Sequence, residues 1–281
     1  MARKKQRLAD LFDQLAPTYD GVGPPFFAHF GRRLVQLARI PHGAWVLDVA
    51  TGRGAVLFPA AESVGPRGRV IGIDLSAGMV QKTAQDLVQR RDSNAEVRRM
   101  DAEHLQFPDE VFDYALCGFS IFFFPQLSRA LSELHRVLVS GGWIGLTTFA
   151  RSFYEQWQWF DELVEGHLPP EPETAQLSKA SSPPSVVYDN PKGLASIMKA
   201  AGFAQVQVIS ETTDFIYSSE EQWWSMLWTC GIRRSLERIK RATGLEGLER
   251  FKAGVFRQLR DDRQADGIHW FFPVLYTLAV K

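Results

Sequence analysis

Two carboxylates carry the plainest chemical signal in this chain of 281 residues. Asp48 lies in the apolar run Trp45-Val46-Leu47-Asp48-Val49, which passes at once into Ala50-Thr51-Gly52-Arg53-Gly54. Asp74 ends a second run, Arg69-Val70-Ile71-Gly72-Ile73-Asp74, 26 positions after Asp48. A turn of small residues lets backbone amides come close to a ligand, and Gly52 and Gly54 supply the backbone freedom it needs. Amides that open the following helix favour negatively charged ligand groups. An acid at the tip of the second strand of a nucleotide-binding fold accepts hydrogen bonds from ribose hydroxyls. The spacing therefore points to recognition of a nucleoside-bearing small molecule. HExxH, a zinc cluster, a P-loop and GxSxG are all missing from the sequence, so metal-assisted and acyl-transfer chemistry have no motif behind them.

VLDVATGRG followed by VIGIDLSAGM resembles motif I and post-motif I of the class I S-adenosylmethionine (SAM) dependent methyltransferases. The dinucleotide signature GxGxxG is absent, and Ala50 stands where that family usually has glycine. Phe12-Asp13 and Ala16-Pro17-Thr18-Tyr19-Asp20 resemble the F(D)xxAxxYD signature of its ubiquinone/menaquinone C-methyltransferase-like (type 11) branch. Leu105-Gln106-Phe107-Pro108-Asp109-Glu110-Val111-Phe112-Asp113 matches that branch's LPFPDxxFD run, and Asp101-Ala102-Glu103 its D-A-E/D turn. Arg136–Phe149 fits its L-K/R-P-G-G segment, with Val139-Ser140 replacing Lys/Arg-Pro. The resemblance implies SAM as cofactor, no metal, and a set of contacts. Asp48 would orient the loop and the methionine ammonium; Ala50, Thr51, Gly52 and Gly54 would form the turn against the amino-acid portion. Asp74 would hold the ribose, with Leu75 and Met79 beside ribose and adenine. Asp101 and Ala102 would face the adenine, Tyr19 would lie over the pocket, and Phe119 near the reacting end.

The acceptor half has less behind it. The Asn/Asp-Pro-Pro-aromatic loop of DNA and protein amide methyltransferases is absent, and a run rich in phenylalanine (Phe119, Phe122, Phe123, Phe124) stands in its place. The resemblance thus implies methyl transfer to a carbon or oxygen of an apolar small molecule such as a quinol, polyketide or terpenoid. Tyr19, His29 and His269 are nominal bases without a motif, His29 being the catalytic candidate because it stands among aromatic residues. Two alternatives remain at this level: a SAM-fold enzyme with a non-methylating step such as cyclisation, and a non-catalytic SAM-binding interaction protein.

The elements that must position these residues follow from periodicity. Residues 44–149 alternate strand and helix, which implies a parallel sheet with crossover helices. The expected architecture is a Rossmann-like α/β fold: seven strands, mostly parallel, with helices on both faces. An N-terminal helical cap is expected over 1–40, a SAM-binding core over 41–150, and the remainder of the domain over 151–281. Strands six and seven are expected at Phe203–Ile209 and Trp270–Val280. Between them a helical lid over about 212–268 should hold two helices, Glu220–Thr243 and Gly247–Asp262. Other expected helices include Ala55–Ser63, shortened by Pro59, then Pro125–Leu138 closed by Gly141-Gly142, and Phe153–Leu168. Residues 169–190 read as a Pro/Ser/Glu-rich loop. Lys plus Arg equals Asp plus Glu, 32 each, which argues against nucleic acid as a partner. Cys117 and Cys230 are the only cysteines, which suits a reducing cytoplasm. No apolar stretch is long enough to span a bilayer. The aromatics of the insertion serve a lid or a homodimer contact equally well.

Overall fold

The computed structural model describes residues 2–168, 188–261 and 263–281. β1 (Trp45–Val49), β2 (Arg69–Asp74) and β4 (Phe112–Gly118) carry mostly buried residues, as strands covered on both faces must. With β3 (Ala95–Arg99) and β5 (Leu138–Phe149) they pair in parallel. β6 (Ala204–Tyr217) and β8 (Gly267–Val280) complete the order β3-β2-β1-β4-β5-β8-β6, with β8 antiparallel to both neighbours. Winding reverses between β1 and β4, so the loops leaving their carboxyl ends diverge and open a crevice.

Helices cover both faces, and the strands' period of two decides which side chain meets which layer. Val46 and Val70 join one apolar cluster with Leu34 of α2 (Phe26–Ala38) and Ala60 of α3 (Leu57–Val64). Leu47 and Ile71 join the other with Leu131 of α5 (Leu127–Val137) and Leu194 of α8 (Pro191–Ala200). α1 (Ala2–Leu15) packs through Leu15 on Met79 of α4 (Ala77–Arg90). Ser76 caps α4, accepting from Met79 N at 3.0 Å. Asn190 caps α8 in the same way, accepting from Gly193 N at 2.9 Å.

Several boundaries differ from expectation. Among the described residues the sheet has eight strands: β7 (Arg263–Gln264) folds back on β8 through a hairpin in which Gly267 has φ 143°. β6 runs on to Tyr217 because its pairing with β8 continues to Tyr217↔Ile268. The insertion's helices therefore begin after residue 217. The first, α9 (Glu220–Leu227), stops early and the chain turns through 228–232. The second, α10 (Arg233–Asp261), runs through the expected gap, broken only at Gly244, where φ is 74°. Trp157 divides the Trp-rich helix into α6 (Arg151–Gln156) and α7 (Gln158–His167). Gly141-Gly142 lies inside β5 at a register shift rather than closing α5. Pro59 falls in the first turn of α3, where an N–H would lack a partner anyway. The expected loop over 169–190 falls, up to residue 187, outside the described residues, as does Asp262.

Candidate active site

The carboxyl ends of β1, β2 and β4 surround a cavity of about 560 Å³, within the ~300–1,000 Å³ typical of small-molecule sites. Asp48, Ala50, Thr51, Gly52 and Gly54 form one side of it, and Asp74, Leu75 and Met79 another. Asp101, Ala102, Phe119 and Tyr19 complete the set. The structure thus brings together every residue expected to touch the cofactor. It does not bring in His29, which is exposed on α2 and meets Thr213 Oγ1 at 3.2 Å. That face of α2 points away from the helix's buried side, Phe26, Phe30 and Leu34, so the catalytic expectation for His29 is corrected. His269 is also remote from the cavity, held between Asp266 at 2.9 Å and Asp214 at 2.5 Å. Those two carboxylates, Asp266 foremost, hold its pKa above the usual histidine value.

Local backbone explains why these residues converge. The turn after β1 passes through Ala50 (φ 54°), Gly52 (φ 53°) and Gly54 (φ 80°), all left-handed. A Cβ on Gly54 would lie 2.5 Å from the Phe58 ring. Asp74 fastens the turn: one carboxylate oxygen accepts from Gly52 N at 2.9 Å and the other from Ser76 N at 2.8 Å. Each oxygen keeps a further lone pair for a hydroxyl donor. Burial raises the Asp74 pKa against those two amide bonds.

Asp48 is fully buried at the cavity floor. Its Oδ2 accepts from Thr51 Oγ1 at 2.6 Å, and its Oδ1 has no hydrogen-bond partner. Burial lifts its pKa to about 7, with the Thr51 bond opposing and the Asp74 charge adding. A buried carboxylate oxygen without a partner is costly unless a donor meets it. Asp48 lines the cavity, so its charge favours a cationic ligand group there.

At the opposite end Lys5 of α1 reaches Asp101 and Glu103, both at 2.6 Å. Burial alone would raise the Asp101 pKa; the Lys5 ammonium and the Glu103 N–H outweigh it and leave it lowered. Sequence reasoning missed Lys5, whose signal was only one charge in a basic run.

A second cavity, about 850 Å³, adjoins the first and is lined mainly by rings, among them Phe26, Phe122, Phe149, Phe153 and Trp157. Tyr19, Asp20, Phe119, Phe12 and Phe123 line both cavities and make the joint between them. Tyr19 stacks on Phe27 at 4.8 Å between ring centroids. Met226 and Cys230, from the insertion, also line the aromatic chamber, whereas Trp223 and Leu227 are buried in the core. Asp20, quoted in the sequence signature but assigned no role, accepts from Phe27 N at 3.0 Å and so tethers the start of α2. Burial raises its pKa to about 6, against the backbone N–H groups of Phe27, Phe26 and Ala28.

A glycine-bearing turn after β1, an acid at the tip of β2 and a crevice at the switch point define an α/β enzyme that binds a nucleoside-bearing cofactor. A methyltransferase-domain family model matches residues 46–142. The chain is 33% identical over 228 residues to the nocamycin O-methyltransferase of Saccharothrix syringae, across 79% of this chain and 81% of that one. It is 40% identical over 144 residues to the aklanonic acid methyltransferase DauC of Streptomyces sp. strain C5, across 51% of this chain and 66% of the relative. The chain belongs to the class I SAM-dependent methyltransferases, with SAM as cofactor. The YcgJ protein of Bacillus subtilis shares the fold, with a TM-score of 0.56 at 18% identity over 90% of this chain and 98% of that one.

Proposed function

We propose that this enzyme transfers the methyl group of SAM to a carbon or oxygen of an apolar, ring-bearing small molecule seated in the aromatic chamber. The observation that carries this reading is the joint, where Tyr19, Asp20 and Phe119 line both cavities. SAM bound in the first cavity supplies a methyl already activated on a sulfonium, so the protein's task is alignment and exclusion of water. In this reading Asp48 orients the turn and the methionine ammonium, and Ala50, Thr51, Gly52 and Gly54 shape the wall beside it. Asp74 takes the ribose hydroxyls, Leu75 and Met79 flank the nucleoside, and Asp101 with Ala102 faces the adenine. Tyr19 and Phe119 hold the reacting end. A phenolate or enolate acceptor needs no base, whereas a neutral hydroxyl hands its proton to Asp20. The two relatives are named for aklanonic acid and nocamycin, which supports a small-molecule acceptor.

The same reading makes residues 1–40 a cap, 41–150 the cofactor-binding core, and 151–281 the part completing the sheet. The helices between β6 and β8 act as a lid over the acceptor. It places the enzyme in the cytoplasm, without a nucleic-acid partner; among the described residues no helix is long and apolar enough to cross a membrane. The exposed Ile216 on the edge strand β6 and Phe271 on the neighbouring β8 are the candidate contact for a homodimer.

Calorimetric titration with SAM and S-adenosylhomocysteine tests the donor site. Both should bind the wild type, and Asp74→Ala should weaken them roughly 100-fold, two charge-assisted bonds being lost from the turn. Methyl-labelled SAM incubated with aklanonic acid should then give a product heavier by one methyl. Product formed without added methyl would replace the transfer reading by a non-methylating step; a well-folded wild type that binds neither nucleoside would remove the donor assignment.

A further inference from the structure

Tyr217, the last residue of β6, brings into the aromatic chamber a polar group that neither cofactor binding nor proton removal calls for. The residue is 1% exposed, and its hydroxyl makes no hydrogen bond among the described residues. Buried hydroxyls are ordinarily paired, so one left open beside a cavity is satisfied by a group that enters the cavity. The ring is fixed from two sides. Pairing of Tyr217 with Ile268 sets the backbone, and Gly23, between α1 and α2, lies against the ring: a Cβ there would stand 2.8 Å from Tyr217 Cε1. The hydroxyl is near enough to Cys230 and Asp20 for their charges to act on it. Burial, with those two adding to it, raises the pKa of Tyr217, so the phenol keeps its proton. The Cys230 thiol, pushed up to about 12 by burial, stays neutral as well. Thr229, which also lines the chamber, already donates to Met226 O at 2.8 Å. Beside the joint, then, a carboxylate able to take a proton stands near a phenol able to donate a hydrogen bond.

We propose that Tyr217 Oη donates a hydrogen bond to the acceptor oxygen that carries, or is conjugated to, the reacting electron pair, while Asp20 takes the proton from that oxygen. The proposal rests on the reading of this chamber as the acceptor site. In the transfer the acceptor's electron pair forms the bond to the methyl carbon, the C–S pair stays with sulfur, and the hydroxyl proton passes to Asp20. A donor aimed at an oxyanion stabilises the charged form, so Tyr217 enlarges the ionised fraction of the acceptor. It also tempers the anion's nucleophilicity, but reactivity falls less steeply than pKa. The balance favours transfer as long as the working pH lies below the acceptor's own pKa.

The ionisation of a bound phenol tests this without turnover. 7-Hydroxycoumarin changes its absorption spectrum when it ionises, and coumarin is the same ring body without the hydroxyl. Each is bound to protein saturated with S-adenosylhomocysteine, in the wild type and in Tyr217→Phe, and the hydroxycoumarin complexes are titrated with pH. Every other charge around the chamber is common to the two proteins, so the difference between them reports the Tyr217 hydroxyl. The bound probe's pKa should stand about one unit higher in Tyr217→Phe, a tenfold loss of ionised probe below that pKa. Coumarin should bind both proteins equally. The same probe pKa in both proteins overturns the proposal. So does a loss of coumarin affinity in the variant without a change in the probe's pKa, which would make the hydroxyl a packing group. If neither coumarin binds while S-adenosylhomocysteine does, the acceptor chamber falls and the proposal with it, leaving the methyltransferase assignment intact.

Discussion

Around the two cavities three residues other than glycine adopt a left-handed backbone: Asp20 (φ 55°), Ala50 (φ 54°) and Phe119 (φ 50°). Outside glycine such conformations are uncommon, and for a bulky side chain they store strain that surrounding structure must hold. Phe119 is held by its N–H, which donates to Thr147 O at 2.9 Å, and by packing of its ring on Phe149 at 4.6 Å. Ala50 shows why a small residue suffices where glycine is usual in this family, since the left-handed cost for alanine is only ~1–2 kcal/mol. Asp20 yields a direct test. With its pKa near 6, its carboxylate is the base form above that value, so methylation of a neutral hydroxyl should rise with pH through about 6. An asparagine side chain at this position would still accept from Phe27 N and tolerate the left-handed backbone. Asp20→Asn should therefore abolish the acidic limb of the kcat/KM profile and lower kcat roughly 100-fold, with SAM affinity kept. A variant whose pH profile matches the wild type would exclude Asp20 as the proton acceptor. Asp48 and Asp74 were legible in the sequence because each is local to its strand and turn. Asp20 was not, because its setting depends on Phe27 N and on rings from distant parts of the chain.

At the level of elements, α1 is clamped across the nucleoside cavity at three points. Lys5 holds Asp101 and Glu103 at one end. Further along, Asp13 Oδ1 accepts from Ser76 Oγ at 2.5 Å and Gly78 N at 2.8 Å. Just beyond the helix, Arg53 donates to Ala16 O at 2.7 Å and reaches Asp86 at 2.6 Å. Of these the first holds the most deeply buried carboxylate, Glu103, which is 1% exposed. Lys5→Met should destabilise the protein by on the order of 1–3 kcal/mol, since a buried carboxylate loses its cation but keeps the Gln126 amides. It should also quicken amide exchange in α1 while leaving β1 and β4 protected. Unchanged exchange in α1 would mean that the clamp is carried by Asp13 and Arg53 alone. The alternation of strand and helix periodicity signalled the parallel strands in advance. The break at Trp157 carried no such signal, since helix-forming residues continue through it and tertiary packing decides where the helix turns; the break in 228–232 coincides with Thr229, Cys230 and Gly231, which favour helix weakly.

For the molecule as a whole, the parallel half and its switch point could be read from alternating strand and helix patterns. The antiparallel end was harder to bound, because β6 continues to Tyr217 only through its partner in β8, more than fifty residues away. The most consequential feature at this scale is that Leu8 and Phe12 of α1, with Tyr19 just beyond it, line both cavities at once. Admitting a nucleoside beneath α1 means lifting the helix, and lifting it takes down a wall of the aromatic chamber. Turnover should therefore follow a compulsory sequence, with SAM entering before the acceptor and S-adenosylhomocysteine departing after the methylated product. Steady-state kinetics should show S-adenosylhomocysteine competitive against SAM and noncompetitive against the acceptor. Isotope-trapping of enzyme-bound SAM should capture labelled cofactor into product when acceptor is added in excess, and trapping of pre-bound acceptor should fail. Efficient capture from both binary complexes would show that the two chambers fill independently.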